Sequence, residues 1–300
     1  GLILGYSRII NSSLPVSILS WTFRNSKKSV TLREFINHNH PLIMKNLGLI
    51  IIAILLTGSI YGQISYLQYR HVPADHEAKF LERETKHWSK VAQSAIKKGQ
   101  MMSWSLWRVV GTMGNDESIP NYVFVNTYEN IDQLDPDKVW NDNMDAIGDV
   151  KPEDIETNSF TTTTYDYYVQ SEDQIPGDYT YALVNYAKPT DLAAFIQENR
   201  ELWKPLHQAS IDNILNKMTY WGMSSAIYPA GHQARFSIFT VDGFKSLNDA
   251  LDYLRFTETA SNSMNAAGWN DVIDKTKMDE LTPNGFEQRI IYERVMSITE

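Results

Sequence analysis

Phe80-Leu81-Glu82-Arg83-Glu84-Thr85-Lys86-His87-Trp88 and Phe195-Ile196-Gln197-Glu198-Asn199-Arg200-Glu201-Leu202-Trp203 place a Phe-aliphatic pair and a Trp at one spacing in two parts of the chain. A further tryptophan follows each stretch, Trp104 in the first and Trp221 in the second, two residues later in the second copy. Self-similarity over this range marks a chain built from one supersecondary unit used twice.

The sequence around each stretch predicts the same order: strand, helix, strand, strand, helix, strand. In the first copy, Ile64–Tyr69 reads as a strand. Pro73-Ala74-Asp75 then opens a helix to about Lys98, with Asp75 as its cap and Gly99 as its stop. Strands are expected at Met101–Val110, Tyr122–Tyr128 and Phe160–Val169, with a weaker helix over Pro136–Ile147. Beyond the break at Pro176-Gly177, strands are expected at Tyr179–Tyr186, Met218–Tyr228, Ala234–Val241 and Gln288–Met296. A helix from Pro189-Thr190 to about Asn216 and a broken one from Leu247 complete the second copy. Two βαββαβ units are two ferredoxin-like halves, so the expected fold class is α+β, with tandem repeats at 63–172 and 177–300.

The 61 residues or so before these units read differently. Met44-Lys45-Asn46 and the apolar run Leu47–Leu56, followed by Thr57-Gly58-Ser59-Ile60-Tyr61-Gly62, have the layout of a secretory signal over 44–62. The run is shorter than the roughly 20 residues a spanning helix needs, so no stable membrane anchor is expected after cleavage. Residues 1–43 contain no Met and show no periodicity, and they read as an upstream or unstructured extension. Export to the periplasm or the extracellular space is therefore expected.

Composition removes several classes of chemistry. There is no Cys, which excludes disulfides, thiol catalysis and thiolate metal sites. Beyond residue 62 the chain carries 21 basic and 35 acidic residues, a field that repels phosphate backbones, so nucleic acid is not expected as a partner. No Walker A loop, GxGxxG, GxSxG or HExxH occurs. The acidic stretch Asn141–Asp149 has Ala146 where an EF-hand loop needs Gly, and no metal site is expected. His71, Asp75 and His76 match no metal spacing and read as a solvated loop.

On a 100° wheel Glu84 and His87 fall within the apolar stripe of Phe80, Val91 and Ala95. Three residues apart, they are candidates for a catalytic proton-transfer pair. The alternative is a buried network satisfied by strand tyrosines or by Arg108. Asn199 stands where Glu84 does in the first copy, and His207 borders the second stripe. With Trp88, Trp104, Trp203 and Trp221 these make a candidate ligand-binding set, against a plain core role for the four tryptophans. Trp107 is out of phase with Trp104, so Trp107 and Tyr220 flank either a pocket or the seam between halves.

Glu84 to Trp88 with Trp104-Ser105-Leu106, and Leu202-Trp203-Lys204-Pro205-Leu206-His207, resemble secreted bacterial proteins of the dimeric α/β-barrel superfamily. That superfamily includes antibiotic biosynthesis monooxygenase-like, EthD-like and NIPSNAP-like families. The resemblance covers roughly residues 64–298 and implies one barrel formed within one chain, with a further homodimer left open. The resemblance names no activity; from the polar groups Glu84 and His87 on the first long helix, a small apolar or aromatic ligand in a helix/sheet pocket is expected, with an oxygenase-like reaction as one outcome. The alternative is a non-catalytic envelope protein that acts through protein–protein contacts. No cofactor is expected; haem rests on superfamily membership alone and would need His87, His207 or His232 as axial ligand.

Overall fold

The computed structural model describes residues 62–114, 116–255, 265 and 267–300. The expected signal segment, apart from Gly62, and residues 1–43 lie outside these, as do 256–264 of the second copy's last helical region.

Eight strands close into one antiparallel barrel. They are β1 (Ile64–His71), β2 (Ser103–Val109), β3 (Tyr122–Tyr128), β4 (Thr162–Ile175), β5 (Tyr181–Ala187), β6 (Met218–Tyr228), β7 (Ile238–Phe244) and β8 (Gln288–Thr299). Their order around the barrel is β1-β3-β2-β8-β5-β7-β6-β4. Each set of four thus runs fourth, first, third, second, and the sets join where β2 pairs with β8 and β4 with β6.

Strand alternation sorts the side chains into an inside and an outside. Leu67, Tyr69, Trp107, Val184, Tyr186 and Tyr292 face the lumen. On the outer face, Trp104, Leu106 and Phe124 pack on Phe80, Ala92 and Ile96 of the first long helix. Trp221, Met223 and Phe244 pack in the same way around Phe195 of the second. Each fully buried side chain of this size contributes roughly 1.5–3 kcal/mol.

Both long helices carry a π turn at the same place. Helix α1 runs as Glu77–Arg83, a π turn over Glu84–Trp88, and Ser89–Lys97. Short helices α2 (Pro136–Asn141) and α3 (Pro152–Ile155) follow in the first half. Helix α4 of the second half runs as Leu192–Glu198, a π turn over Asn199–Trp203, and Lys204–Asp212. The buried positions of α1 step from Phe80 to Glu84 and then by five to Ser89, as one extra residue in the turn requires. In α1, Thr85 Oγ1 donates to the Leu81 carbonyl (2.6 Å) and Ser89 Oγ to the Thr85 carbonyl (2.7 Å). Hydroxyls that compete in this way for helix carbonyls loosen the ladder. In α4, Pro205 supplies no N–H just past the turn.

Several predicted boundaries move. Helix α1 starts at Glu77 rather than at Pro73, and neither Asp75 nor His76 caps it with its side chain. The helix predicted over 136–147 breaks into α2 and a 3₁₀ turn at Met144–Ile147, ended by Gly148 at φ 68°. Strand β4 continues six residues past Val169, β8 three past Met296, and β7 begins at Ile238 instead of Ala234. Strands β4 and β8 pair across the two halves, with β6 and β2, and local periodicity does not reveal such a partner.

Candidate functional site

In the first half, a cavity of about 390 Å³ lies between helix and sheet. Trp104 of β2 and Phe124 of β3 form its sheet side, Trp88 of α1 and Trp140 of α2 its helical side, and residues 152–158 its rim. Trp88 and Trp140 meet edge-to-face at 6.1 Å, and Trp88 Nε1 donates to the Ile155 carbonyl (2.9 Å), which ties α3 to α1. Glu84 is the carboxylate set within this aromatic shell, 5% exposed.

Burial raises the Glu84 carboxyl to about 7, against the smaller opposing pull of Arg70 and of a hydrogen bond from Thr157 Oγ1 (2.8 Å). Arg70 donates through Nη1 to Thr157 Oγ1 (3.3 Å) and Asn158 Oδ1 (3.1 Å), and it lies 5.1 Å from the Phe124 ring centroid. Its Nε is buried with no partner. The partners proposed for Glu84 from sequence are thereby corrected. Arg108 instead bonds Glu293 (2.8 Å) at the seam, while Arg70 and Thr157, 14 and 73 residues from Glu84 in sequence, were not legible as its neighbours.

His87 is half-buried, lines none of the described cavities, and shares no hydrogen bond with Glu84; its buried Nδ1 has no partner. The wheel assumes 3.6 residues per turn, and the π turn moves His87 off the stripe that Glu84 keeps. The structure therefore does not join the two into a proton-transfer pair.

The second half brings its named residues together in a different way. Asn199 turns back on its own helix, its Nδ2 donating to the Phe195 carbonyl (2.9 Å). His207 stacks on Trp221 (5.6 Å, 25°) beside Trp203 (6.4 Å), and Trp203 meets Trp269 edge-to-face at 5.9 Å. Burial alone lowers the His207 imidazole to about 4, so it is neutral at pH 7. The candidate ligand set thus divides: Trp88 and Trp104 line the Glu84 cavity, while Trp203, His207 and Trp221 pack together in the second half and Asn199 is satisfied by its own helix.

A buried acid missed by sequence reasoning lies in this half. Asp242 on β7 is raised to about 6 by burial, accepts from Asn185 Nδ2 (2.9 Å), and is linked through Asn185 Oδ1 to Arg289 Nε (2.7 Å). The available signal was an Asp at a core-facing position of the apolar strand Ile238–Phe244. His71 also departs from the solvated-loop reading: it is buried, donates from Nδ1 to the Ile119 carbonyl (2.8 Å), and lines a cavity of about 650 Å³ near Arg108.

No protein-family model matches the sequence, and no curated protein matches it. Among solved structures, the chain is similar to an anthrone oxidase-like protein at 12% identity and TM-score 0.46, over 79% of this chain and 92% of that one. It is similar to a mutant chlorite dismutase from Candidatus Nitrospira defluvii at 10% identity and TM-score 0.45, over 81% and 94%. A heme-binding protein from Thermus thermophilus gives 10% identity and TM-score 0.41, over 78% and 91%. Likeness of this order transfers no residue, ligand or activity, and the fold rests on the strand order itself.

Haem can be tested against the residues present. His87 and His207 line none of the described cavities, and His232 is exposed on a turn. Among the described residues no group of His, Asp and Glu is arranged to hold a metal ion. These histidines do not fit an axial role, and no chemical step is assigned to haem.

Proposed function

We propose that the chain is an exported protein that binds a small aromatic molecule carrying a hydroxyl group in the helix–sheet cavity of the first half. The carrying observation is a lone buried carboxyl, Glu84, raised to about 7 within walls of Trp88, Trp104, Phe124 and Trp140. Aromatic walls bind a flat apolar body, and a carboxyl raised toward neutrality lies closer in proton affinity to a phenolic hydroxyl than an ordinary carboxylate does, which lowers the cost of proton transfer. Glu153 and Glu156 at the rim favour a neutral ligand over an anionic one. Loss of the hydroxyl proton to Glu84 leaves an electron-rich phenolate, the form that an oxygenase-like reaction with dioxygen would use.

Within the same reading, the halves are tandem ferredoxin-like units that build, in one chain, the barrel of the dimeric α/β-barrel superfamily. The shared strand order and the paired π turns support this. Cavities of several hundred cubic ångströms count against a solid barrel acting only as an envelope docking protein.

Fluorescence titration with 2-naphthol tests the site. Binding is expected in the parent chain and at least tenfold weaker in Glu84→Gln at pH 8, where the parent carboxyl is ionised, with a melting temperature no lower than the parent's. His87→Ala is expected to leave the titration unchanged. Equal binding by Glu84→Gln would remove the proposed role of Glu84.

A further inference from the structure

The barrel lumen is closed at one end and open at the other. At the closed end Phe236 stacks on Tyr167 (4.0 Å, 20°), and the hydroxyls of Tyr69, Tyr186 and Tyr292 form a chain with 3.0 Å links. At the open end the inward positions hold small residues, and a cavity of about 380 Å³ remains. An eight-stranded barrel is wide enough either to be filled by its side chains or to hold one small ligand, and here each half of the lumen takes one of these options.

The chemistry of this cavity is ordered along the barrel axis. Deep walls are aliphatic, among them Leu67, Val123, Val184 and Val241. The rim is rich in hydroxyls, and those of Ser103, Ser171 and Ser297 make no side-chain hydrogen bond among the described residues. One charged residue lines the cavity, Arg294, lying 6.0 Å from the Trp107 ring centroid. Arg294 bonds Asp178 (3.0 Å), but Asp178 also serves Lys245 (2.6 Å), so two cations share one carboxylate and the cluster retains a positive charge.

Trp107 is already engaged by a stacked ring, Tyr179 (5.5 Å, 20°), and by the Arg294 guanidinium 6.0 Å from its centroid. Tyr220 in turn stacks on Tyr179 (4.4 Å, 28°), and Gly243 makes room for both side chains: a Cβ there would lie 2.7 Å from the Tyr179 ring and 2.7 Å from the Tyr220 Cβ. An aliphatic body therefore suits the lumen better than a flat aromatic one.

We propose that the barrel lumen is a second ligand site, separate from the Glu84 cavity, for a monoanionic aliphatic amphiphile such as a medium-chain carboxylate. The tail lies against the valines and the tyrosine hydroxyl floor, and the head lies at the rim with Arg294 and the serine hydroxyls. A charge-assisted hydrogen bond to Arg294 sets the preference for an anion over an alcohol of equal length.

Calorimetric titration of the chain with decanoate below its micelle concentration, with 1-decanol as the neutral comparator, tests this. One decanoate is expected per chain, bound about tenfold more tightly than decanol. Arg294→Gln is expected to abolish that preference while retaining weak binding of both. Val241→Trp, which fills the lumen, is expected to abolish binding of both while 2-naphthol still binds at the Glu84 cavity. Val125→Phe serves the same purpose should Val241→Trp fail to fold. Absence of decanoate binding to the folded parent chain, or binding that survives lumen filling but is lost in Glu84→Gln, would overturn the proposal.

Discussion

The two helix–sheet layers share a framework and differ in where they keep their charge. In the first, a helix carboxylate (Glu84) faces a strand cation (Arg70) across a cavity with an aromatic wall. In the second, the helix position is a neutral Asn199 satisfied by its own helix, and the buried acid has moved to strand β7 as Asp242, tied to Asn185 and Arg289. Framework positions of similar kind recur in both layers, Phe80 and Trp104 in one and Phe195 and Trp221 in the other, because packing asks only for volume and shape. Charged residues are not, since each buried charge needs its own partner from another element.

The largest effect tests the shared framework. Trp104→Ala and Trp221→Ala, each removing a side chain 1% exposed, are expected to cost about 3–5 kcal/mol apiece in urea denaturation. A large inequality between them would mean that the layers are not equivalent in packing.

Next comes the charge difference. Because the folded Glu84 pKa lies above its ordinary value of 4.5, its contribution favours the folded state below about pH 4.5 and is lost as pH rises through 7. Glu84→Gln is expected to remove a loss on the order of 3 kcal/mol across that window, read from melting temperatures between pH 4.5 and 8. Asp242 gives the second half a similar but smaller dependence centred lower, near 6.

His207 works in the opposite direction. Its folded pKa lies below 6.5, so its contribution is present above that pH and lost as pH falls toward 4. His207→Phe, which keeps the stack on Trp221, is expected to flatten the acid limb of the same profile, extended down to pH 4, by on the order of 3 kcal/mol. The smallest effect is on the surface: breaking the exposed Lys86–Glu82 pair on α1 by Lys86→Ala is expected to cost about 0.3–0.5 kcal/mol in the same denaturation.

Much of the fold was legible because it is local. The period of Phe80, Ala92 and Ala95 and the alternation of Trp104 with Trp107 fix faces from sequence alone, and Trp107 does face the lumen beside Tyr179 and Tyr220. Strands Tyr122–Tyr128 and Met218–Tyr228 fall where predicted. The site was legible only in part. Glu84 stood out as a carboxylate on an apolar stripe, but Arg70 and Thr157 reach it through tertiary contacts, and the π turn breaks the 3.6-residue arithmetic that had paired it with His87.

Closure by β2–β8 and β4–β6 has a consequence for how the chain would behave if cut. Gly177, in the short connection between β4 and β5, sits so close to the Thr219 carbonyl that no side chain fits, so the link is tight. Yet the link is a single covalent thread beside two full hydrogen-bonded ladders. Cleaved there, the chain would become a heterodimer of two fragments, and its stability would turn from a fixed property into one that depends on concentration.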